Sequence, residues 1–339
     1  MSRIDTALEN SYLVTWTVEP GENGLRLDLF LKEKYRTLSR ERIQKSIKDG
    51  RTTVNHDQTK PSRLLKTGDK VFVLSVKGNE PPVDLNYKII YEDDTILVVD
   101  KPGNLPVHPV GRYFFNSLLT QLRIVNRNEI DQTRNFYLVH RIDRETSGVL
   151  VMGKLPEAAT NLVEQFSNRE TAKEYLAIVR GRMEKDHYSV NAPMARDAKS
   201  DIRLKMGVVE YDKLGKALYV EEKDILQAKT DFDVLERIGN YSIVRCKPHT
   251  GRQHQIRVHL MHIGFPIVGD KLYGVSDDVF YESLKGPLTI EVEPGISVSR
   301  HALHAHRLTF THPKTREKKE FVSEFPHELR VFLDKVKKS

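Results

Sequence analysis

The chain has 339 residues, 39% hydrophobic and 30% charged, with 54 Lys and Arg against 47 Asp and Glu and a net charge of +7. That length favours two domains, and no run of 18 or more apolar residues is present to cross a bilayer. One cysteine, Cys246, excludes an intrachain disulfide or a thiolate cluster; with no signal-peptide core near the N-terminus, a cytoplasmic location is expected.

Tyr12, Val14, Trp16 and Val18 alternate with Leu13, Thr15 and Thr17, so a strand is expected within an N-terminal extension spanning 1–23. Residues 24–80 then carry 14 Lys and Arg against 7 Asp and Glu, an excess equal to the net charge of the whole chain. A small unit with that imbalance has the electrostatic footprint of a nucleic-acid binder. Leu27, Leu31 and Tyr35 have helical spacing, and a second helix runs from an N-cap at Ser39 through Ile43 and Ile47 to a stop at Gly50. Its polar faces carry Arg40, Arg42, Lys45 and Lys48. Short strands are expected at 52–55 and 71–76, and the Pro81-Pro82 segment at 81–87 reads as a linker to a larger unit, 88–339.

In the larger unit, apolar strands are expected at 88–91 and 95–100, followed by an irregular loop at 102–113 and a helix capped by Asn116. A strand at 149–153 precedes a helix at 156–166, and further strands at 175–179, 230–235, 242–246 and 303–310 make this a strand-rich α+β domain. A short strand at 137–139 leads into HRIDRETSG, which begins at His140 and sets Asp143 between Arg141 and Arg144. The guanidinium groups favour the ionised carboxylate, which could act as nucleophile, metal ligand or structural ion pair. The histidines at 254, 259 and 262 and at 301, 304 and 306 invite a zinc reading, but zinc needs three or four convergent ligands, and no metal is expected. By spacing alone Tyr175, Ile256 and Cys246 read as core, and Arg252 as a phosphate contact or a surface charge.

The run GLRLDLFLKEKY, then SRERIQKSIKDGRTTVN, then LLKTGDKV resembles the S4 RNA-binding domain of ribosomal proteins and RNA-modifying enzymes. That resemblance implies Arg40, Arg42, Lys45, Lys48 and Arg51 as RNA contacts. Five further segments, KPGNLPVHPVGRY from Lys101, HRIDRETSG from His140, KEYLAIVRG from Lys173, HTGRQHQIRVHL from His249 and HALHAHRLTF from His301, together resemble the RluA-type pseudouridine synthases. This second resemblance spans Lys88 to about Phe310. It implies an α+β catalytic domain with a mixed, largely antiparallel sheet and an enzyme that isomerises uridine in structured RNA without a cofactor.

The same resemblance implies Asp143 as the catalytic aspartate, Tyr175 as the ring stacked on the target uracil, and Arg252 as the partner of the carboxylate. Ile256 would pack against the base from the same helix as Arg252. Arg141 would enter the RNA stack as the uridine flips out, and His140 and Arg144 would orient the loop or touch phosphates. Attack on the base, attack on the sugar and a glycal-type route are all compatible with these residues. Large-subunit ribosomal RNA is the first expected substrate, and PVHPVGRYFFNS keeps transfer RNA as the second; neither a membrane nor an obligate protein partner is expected. The rival from another class, a non-catalytic RNA-binding factor, is opposed by the joint presence of Asp143, Tyr175 and Arg252. A zinc base deaminase would need P-C-x-x-C, which one cysteine cannot supply.

Overall fold

The computed structural model describes residues 11–35, 38–76, 80–126, 129–131 and 135–338. The first ten residues of the expected extension and 77–79 lie outside the described residues. Two compact units emerge, one from Met1–Pro81 with His108–Phe136, the other from Pro82–Val107 with Tyr137–Ser339.

The first unit is wider than the expected 24–80 span. Its six-stranded sheet runs in the order Asp57–Gln58, Thr52–Val54, Lys70–Val76, Ser11–Thr17, Glu129–Asp131, Ile124–Asn126. Ser11–Thr17 is therefore not a lead-in but an inner strand, antiparallel to Lys70–Val76 on one side and parallel to Glu129–Asp131 on the other. An unpaired edge there would leave a row of backbone groups open, and residues 108–136 return to close it. The aromatic ring of Tyr12 stacks on Phe114 at 5.4 Å and lies 5.5 Å from Phe115. The Glu80 carboxylate accepts from the backbone N–H groups of Phe114, Phe115 and Asn116. Asn116 itself reaches the carbonyl of Pro81, so the N-cap of the short helix Leu118–Leu122 is Ser117 and not Asn116.

Both expected basic-unit helices form, at Leu27–Lys34 and Arg40–Lys48, and Ser39 caps the second by accepting from the Arg42 N–H at 3.3 Å. Phe30, Leu31, Ile43 and Ile47 turn inward with Leu65 and Val71, which leaves Arg42, Lys45 and Lys48 exposed on the opposite face. Arg40 and Arg51 differ from them. Arg40 bonds to the fully buried Asp28 at 2.9 Å, so its guanidinium already serves the fold, whereas Arg51 makes only an exposed pair with Asp49 at 3.3 Å. Arg26, Arg40 and Gln44 together supply the bonds that let Asp28 stay buried as a carboxylate.

The second unit is built on a ten-stranded sheet. Its main path is His187–Asn191, Lys229–Ile238, Tyr241–Pro248, Ala172–Arg180, Leu303–Thr311, Ser147–Gly153, Ile96–Lys101, Lys88–Glu92, with Lys318–Val322 and Tyr137–Leu138 attached at its sides. Every pairing on that path is antiparallel except Ser147–Gly153 with Leu303–Thr311, so the α+β, mixed-sheet expectation holds. Ser147–Gly153 is buried at every position, so side chains on both faces of the strand are covered, which explains the apolar run Val149–Met152. Pro156 then starts the helix Pro156–Ser167 at the one place where a missing N–H costs nothing. The expected strand at 137–139 is reduced to Tyr137–Leu138, and the chain turns at Arg144-Glu145 before entering Ser147–Gly153.

Candidate active site

Asp143 sits on the loop between Tyr137–Leu138 and Ser147–Gly153, and the close approach of two strands anchors that loop. Gly148 has φ of 112°, and a Cβ there would stand 2.1 Å from the Ala305 carbonyl oxygen, so only glycine permits the crossing. The Thr146 hydroxyl bonds to His301 Nε2 at 2.8 Å and the Ser147 hydroxyl to His304 Nδ1 at 2.9 Å. From beneath, the fully buried Lys101 donates to the carbonyls of Pro102 and Arg144 at 2.7 and 3.1 Å. Arg300 donates to the carbonyls of Glu145, His301 and Leu303 and to the Ser147 hydroxyl, and its side chain occupies the space that any Cβ on Gly103 would need. The histidines at 301 and 304 thus brace the loop. Among the described residues, no group of three or more His, Cys, Asp or Glu is placed to hold a metal ion.

The partner of Asp143 is Arg257, not Arg252. Arg257 Nη1 donates to Asp143 Oδ2 at 2.8 Å, and its Nε and Nη2 donate to the two oxygens of buried Asp270 at 2.7 and 2.9 Å. The guanidinium also lies 4.9 Å from the centre of the Tyr273 ring. Arg252 precedes the helix Gln255–His262 rather than lying on it, is exposed, and donates from Nε to the Gln227 carbonyl at 3.2 Å. The helix starts late because the Gln255 side chain ties down the preceding turn: its oxygen accepts from the Thr250 hydroxyl and the Arg252 N–H, and its nitrogen donates to the Lys229 carbonyl and Thr230. Arg252 is consequently held at the rim, while Arg257, in the first turn of the helix, is buried. Removing one partner of such a buried pair typically costs about 3–5 kcal/mol.

His254 completes the surroundings of the carboxylate. It is the helix N-cap, in a left-handed conformation with φ of 58°, a state that costs a non-glycine residue roughly 1–3 kcal/mol. Its Nδ1 bonds the Tyr273 hydroxyl at 2.9 Å, and its Nε2 stands 3.9 Å from Asp143 Oδ1. Burial, reinforced by Arg257, pushes His254 down to about 4, so it is neutral near pH 7. Burial works against the Asp143 anion, but Arg257 in direct contact, His254 and Arg141 outweigh it and hold the carboxyl below its ordinary value.

Asp143 opens into a pocket of about 90 Å³ that Tyr175, Arg141, Ile256, Lys173 and Arg252 also line. Tyr175 lies on the strand Ala172–Arg180, at a bulge against Leu303–Thr311 that falls between Glu174 and Tyr175. Burial, with the nearby Asp143 charge, raises its hydroxyl above the usual tyrosine range, so it stays protonated. Ile256 is buried on the helix and presents an apolar wall. Arg141 is exposed at the mouth. A groove of about 620 Å³ runs on from this pocket past Phe166, Arg169 and Lys247.

Two residues of the loop are placed by the fold rather than by the pocket. His140 accepts from the Val151 N–H at 3.0 Å and stacks on Phe166 at 4.6 Å; burial lowers it to about 3, so it orients the loop as a neutral ring. Arg144 bonds Glu145, which Lys271 also holds at 2.7 Å. Neither His140 nor Arg144 lines the small pocket. Sequence reasoning missed Arg257, Asp270, Tyr273, His254 and Arg300. Arg257 and His254 stand inside the motif HTGRQHQIRVHL, which holds two arginines, and spacing does not tell which one turns inward.

Residues 95–262 match the family model described as RNA pseudouridylate synthase. The chain is 33% identical to the ribosomal large subunit pseudouridine synthase C of Haemophilus ducreyi, over 95% of each chain. It is 36% identical to the mitochondrial tRNA pseudouridine(32) synthase of Saccharomyces cerevisiae over 76% of this chain and 52% of that one. The solved structure of human RNA pseudouridylate synthase domain containing 4 superposes with a TM-score of 0.55 at 25% identity, covering 74% of this chain and 92% of its own. A paired, ionised carboxylate and a protonated tyrosine facing one pocket, on a chain related to such enzymes along nearly all its length, make this protein a member of the RNA pseudouridine synthase family.

Proposed function

We propose that this enzyme isomerises a uridine of large-subunit ribosomal RNA, with Asp143 as the reacting carboxylate, Tyr175 as the ring against the base and Arg257 as the group that keeps Asp143 charged and aimed. One observation carries the assignment: the Asp143 carboxylate, bonded to a buried arginine through Oδ2 only, opens into the pocket that Tyr175 lines. Isomerisation breaks the bond from C1′ to N1, turns the uracil and forms a bond from C1′ to C5; the proton lost from C5 is balanced by one taken up at N1, both exchanged with water. No electrons are gained or lost. An ionised carboxylate suits the first event and a protonated tyrosine hydroxyl, released from water, suits the proton traffic around the base.

Arg141, exposed at the pocket mouth two residues from Asp143, fits the role of a planar cation filling the stack as the uridine leaves it. On the first unit, the face carrying Arg42, Lys45 and Lys48 fits an S4-like contact with RNA phosphates. The relative from Haemophilus ducreyi favours large-subunit ribosomal RNA, and the yeast relative favours transfer RNA as the second reading. The test is release of tritium from C5-labelled uridine in ribosomal and transfer RNA transcripts, joined to mapping of pseudouridines lost in a deletion strain. Turnover of neither RNA, or undiminished turnover by Asp143→Asn, overturns the assignment.

A further inference from the structure

We propose that His254 and Asp143 together grip the 2′-hydroxyl of the target nucleotide, which makes His254 a specificity-determining residue for a ribose over a deoxyribose target. This rests on the uridine-isomerising reading above and adds a group to it.

Three features fix what His254 offers. The Tyr273 hydroxyl accepts from the Met206 N–H at 3.0 Å and lies 2.9 Å from His254 Nδ1. Were Nδ1 the donor, the Tyr273 oxygen would accept twice and its own proton would need another buried acceptor. With the tyrosine donating to Nδ1 both the Tyr273 hydroxyl and Nδ1 are satisfied, and the imidazole proton then sits on Nε2. That N–H faces Asp143 Oδ1, the oxygen Arg257 does not bond.

The separation of 3.9 Å between Nε2 and Oδ1 exceeds a hydrogen bond, yet one oxygen placed about 2.8 Å from each reaches both. Such an oxygen must accept from the N–H and donate to the carboxylate. Within an RNA chain the 3′ and 5′ oxygens are esterified and have no proton to give. Uracil N3–H only donates, and the uracil carbonyls only accept. The 2′-hydroxyl is the one group of an internal uridine that does both, and it neighbours the C1′ carbon whose bond to the base is broken in the reaction. The left-handed backbone of His254 and its rigid tie to Tyr273 fit a side chain held for a defined partner.

The experiment compares transcripts of large-subunit ribosomal and transfer RNA labelled with C5-tritiated uridine against the same transcripts carrying C5-tritiated 2′-deoxyuridine, under single turnover. Wild type is expected to favour the ribose form by about 100-fold or more, within the limit of about 10⁴–10⁵ by which sites built around a hydroxyl reject its absence. His254→Asn keeps a residue that tolerates the left-handed conformation but is too short to place a donor where Nε2 stands, and its preference should fall to under about tenfold, through loss of rate on the ribose form only. Tyr273→Phe, which frees the tautomer while leaving the imidazole, should fall between the two. An unchanged preference in both variants, or no preference in wild type, overturns the proposal however the absolute rates move. Absence of release from the ribose transcripts by wild type would instead overturn the functional reading on which it rests.

Discussion

The two regions that carry the positive charge of this protein use it in opposite ways. On the helix Arg40–Lys48, Arg42, Lys45 and Lys48 stand in water with their charge unspent, whereas in the pocket Arg257 is buried and bonded to two carboxylates at once. Exposed cations attract phosphate over a Debye length of about 8–10 Å and are screened by salt. A buried guanidinium gives no long-range pull; it sets the ionisation and direction of the carboxylates it touches. Affinity and chemistry are therefore expected to respond to different perturbations.

The largest separation should come from Asp143→Asn, which keeps the shape of the side chain and removes its charge. Single-turnover tritium release should fall by about 10⁴-fold or more, the scale seen when a central reacting group is lost, while RNA binding measured by filter retention stays within about twofold. A comparable loss of binding would mean that the carboxylate is a structural group and the contrast between the regions is false.

Next in size is the arginine pair. Arg257→Ala leaves Asp143 and Asp270 without their shared cation and should lower unfolding stability by about 3–5 kcal/mol, read from the urea midpoint and slope. Arg252→Ala removes an exposed side chain at the rim and should stay within about 0.5 kcal/mol of wild type. Equal losses in the two variants would overturn the exchange of roles found in the pocket.

The pH response follows from the same contact. The folded pKa of Asp143 lies below its unfolded value, so its favourable contribution is fully present above about pH 4 and disappears as pH falls through the folded value. The acid limb of kcat should accordingly lie below pH ~4 in wild type and move upward in Arg257→Gln. A limb that does not move would assign the ionisation to another group.

The smallest effect belongs to the exposed face. Replacing Arg42, Lys45 and Lys48 together by alanine should flatten the dependence of log affinity on log salt by roughly 2–3 and leave kcat at saturating RNA unchanged. A fall in kcat without any change in salt dependence would remove the phosphate-contact role of this face.

Much of the local structure was legible beforehand because its causes are local. Ser39 caps its helix, Ile43 and Ile47 mark the buried stripe, and Pro156 starts a helix, each for reasons contained within a few residues. Asn116 misled because its side chain is claimed by the Pro81 carbonyl, 35 residues away in sequence. The histidines at 301 and 304 invited a metal, yet their partners are the hydroxyls of Thr146 and Ser147, more than 150 positions earlier. The span of the first unit was underestimated for the same reason: the strand Glu129–Asp131 pairs with Ser11–Thr17 across more than a hundred residues.

Sequence by itself determined that Asp143 stands on a loop between Arg141 and Arg144, and through HRIDRETSG and its companion motifs which kind of enzyme the chain is similar to. Only the tertiary structure decided which arginine meets the carboxylate, because Arg252 and Arg257 are both separated from Asp143 by more than a hundred residues and differ in nothing but where the helix Gln255–His262 begins. That starting point is set by Gln255 and by the left-handed turn at His254, whose energies depend on Thr230, Lys229 and Tyr273 arriving from other strands and loops. Residue type is written in the chain; the direction a side chain faces is a property of everything packed around it.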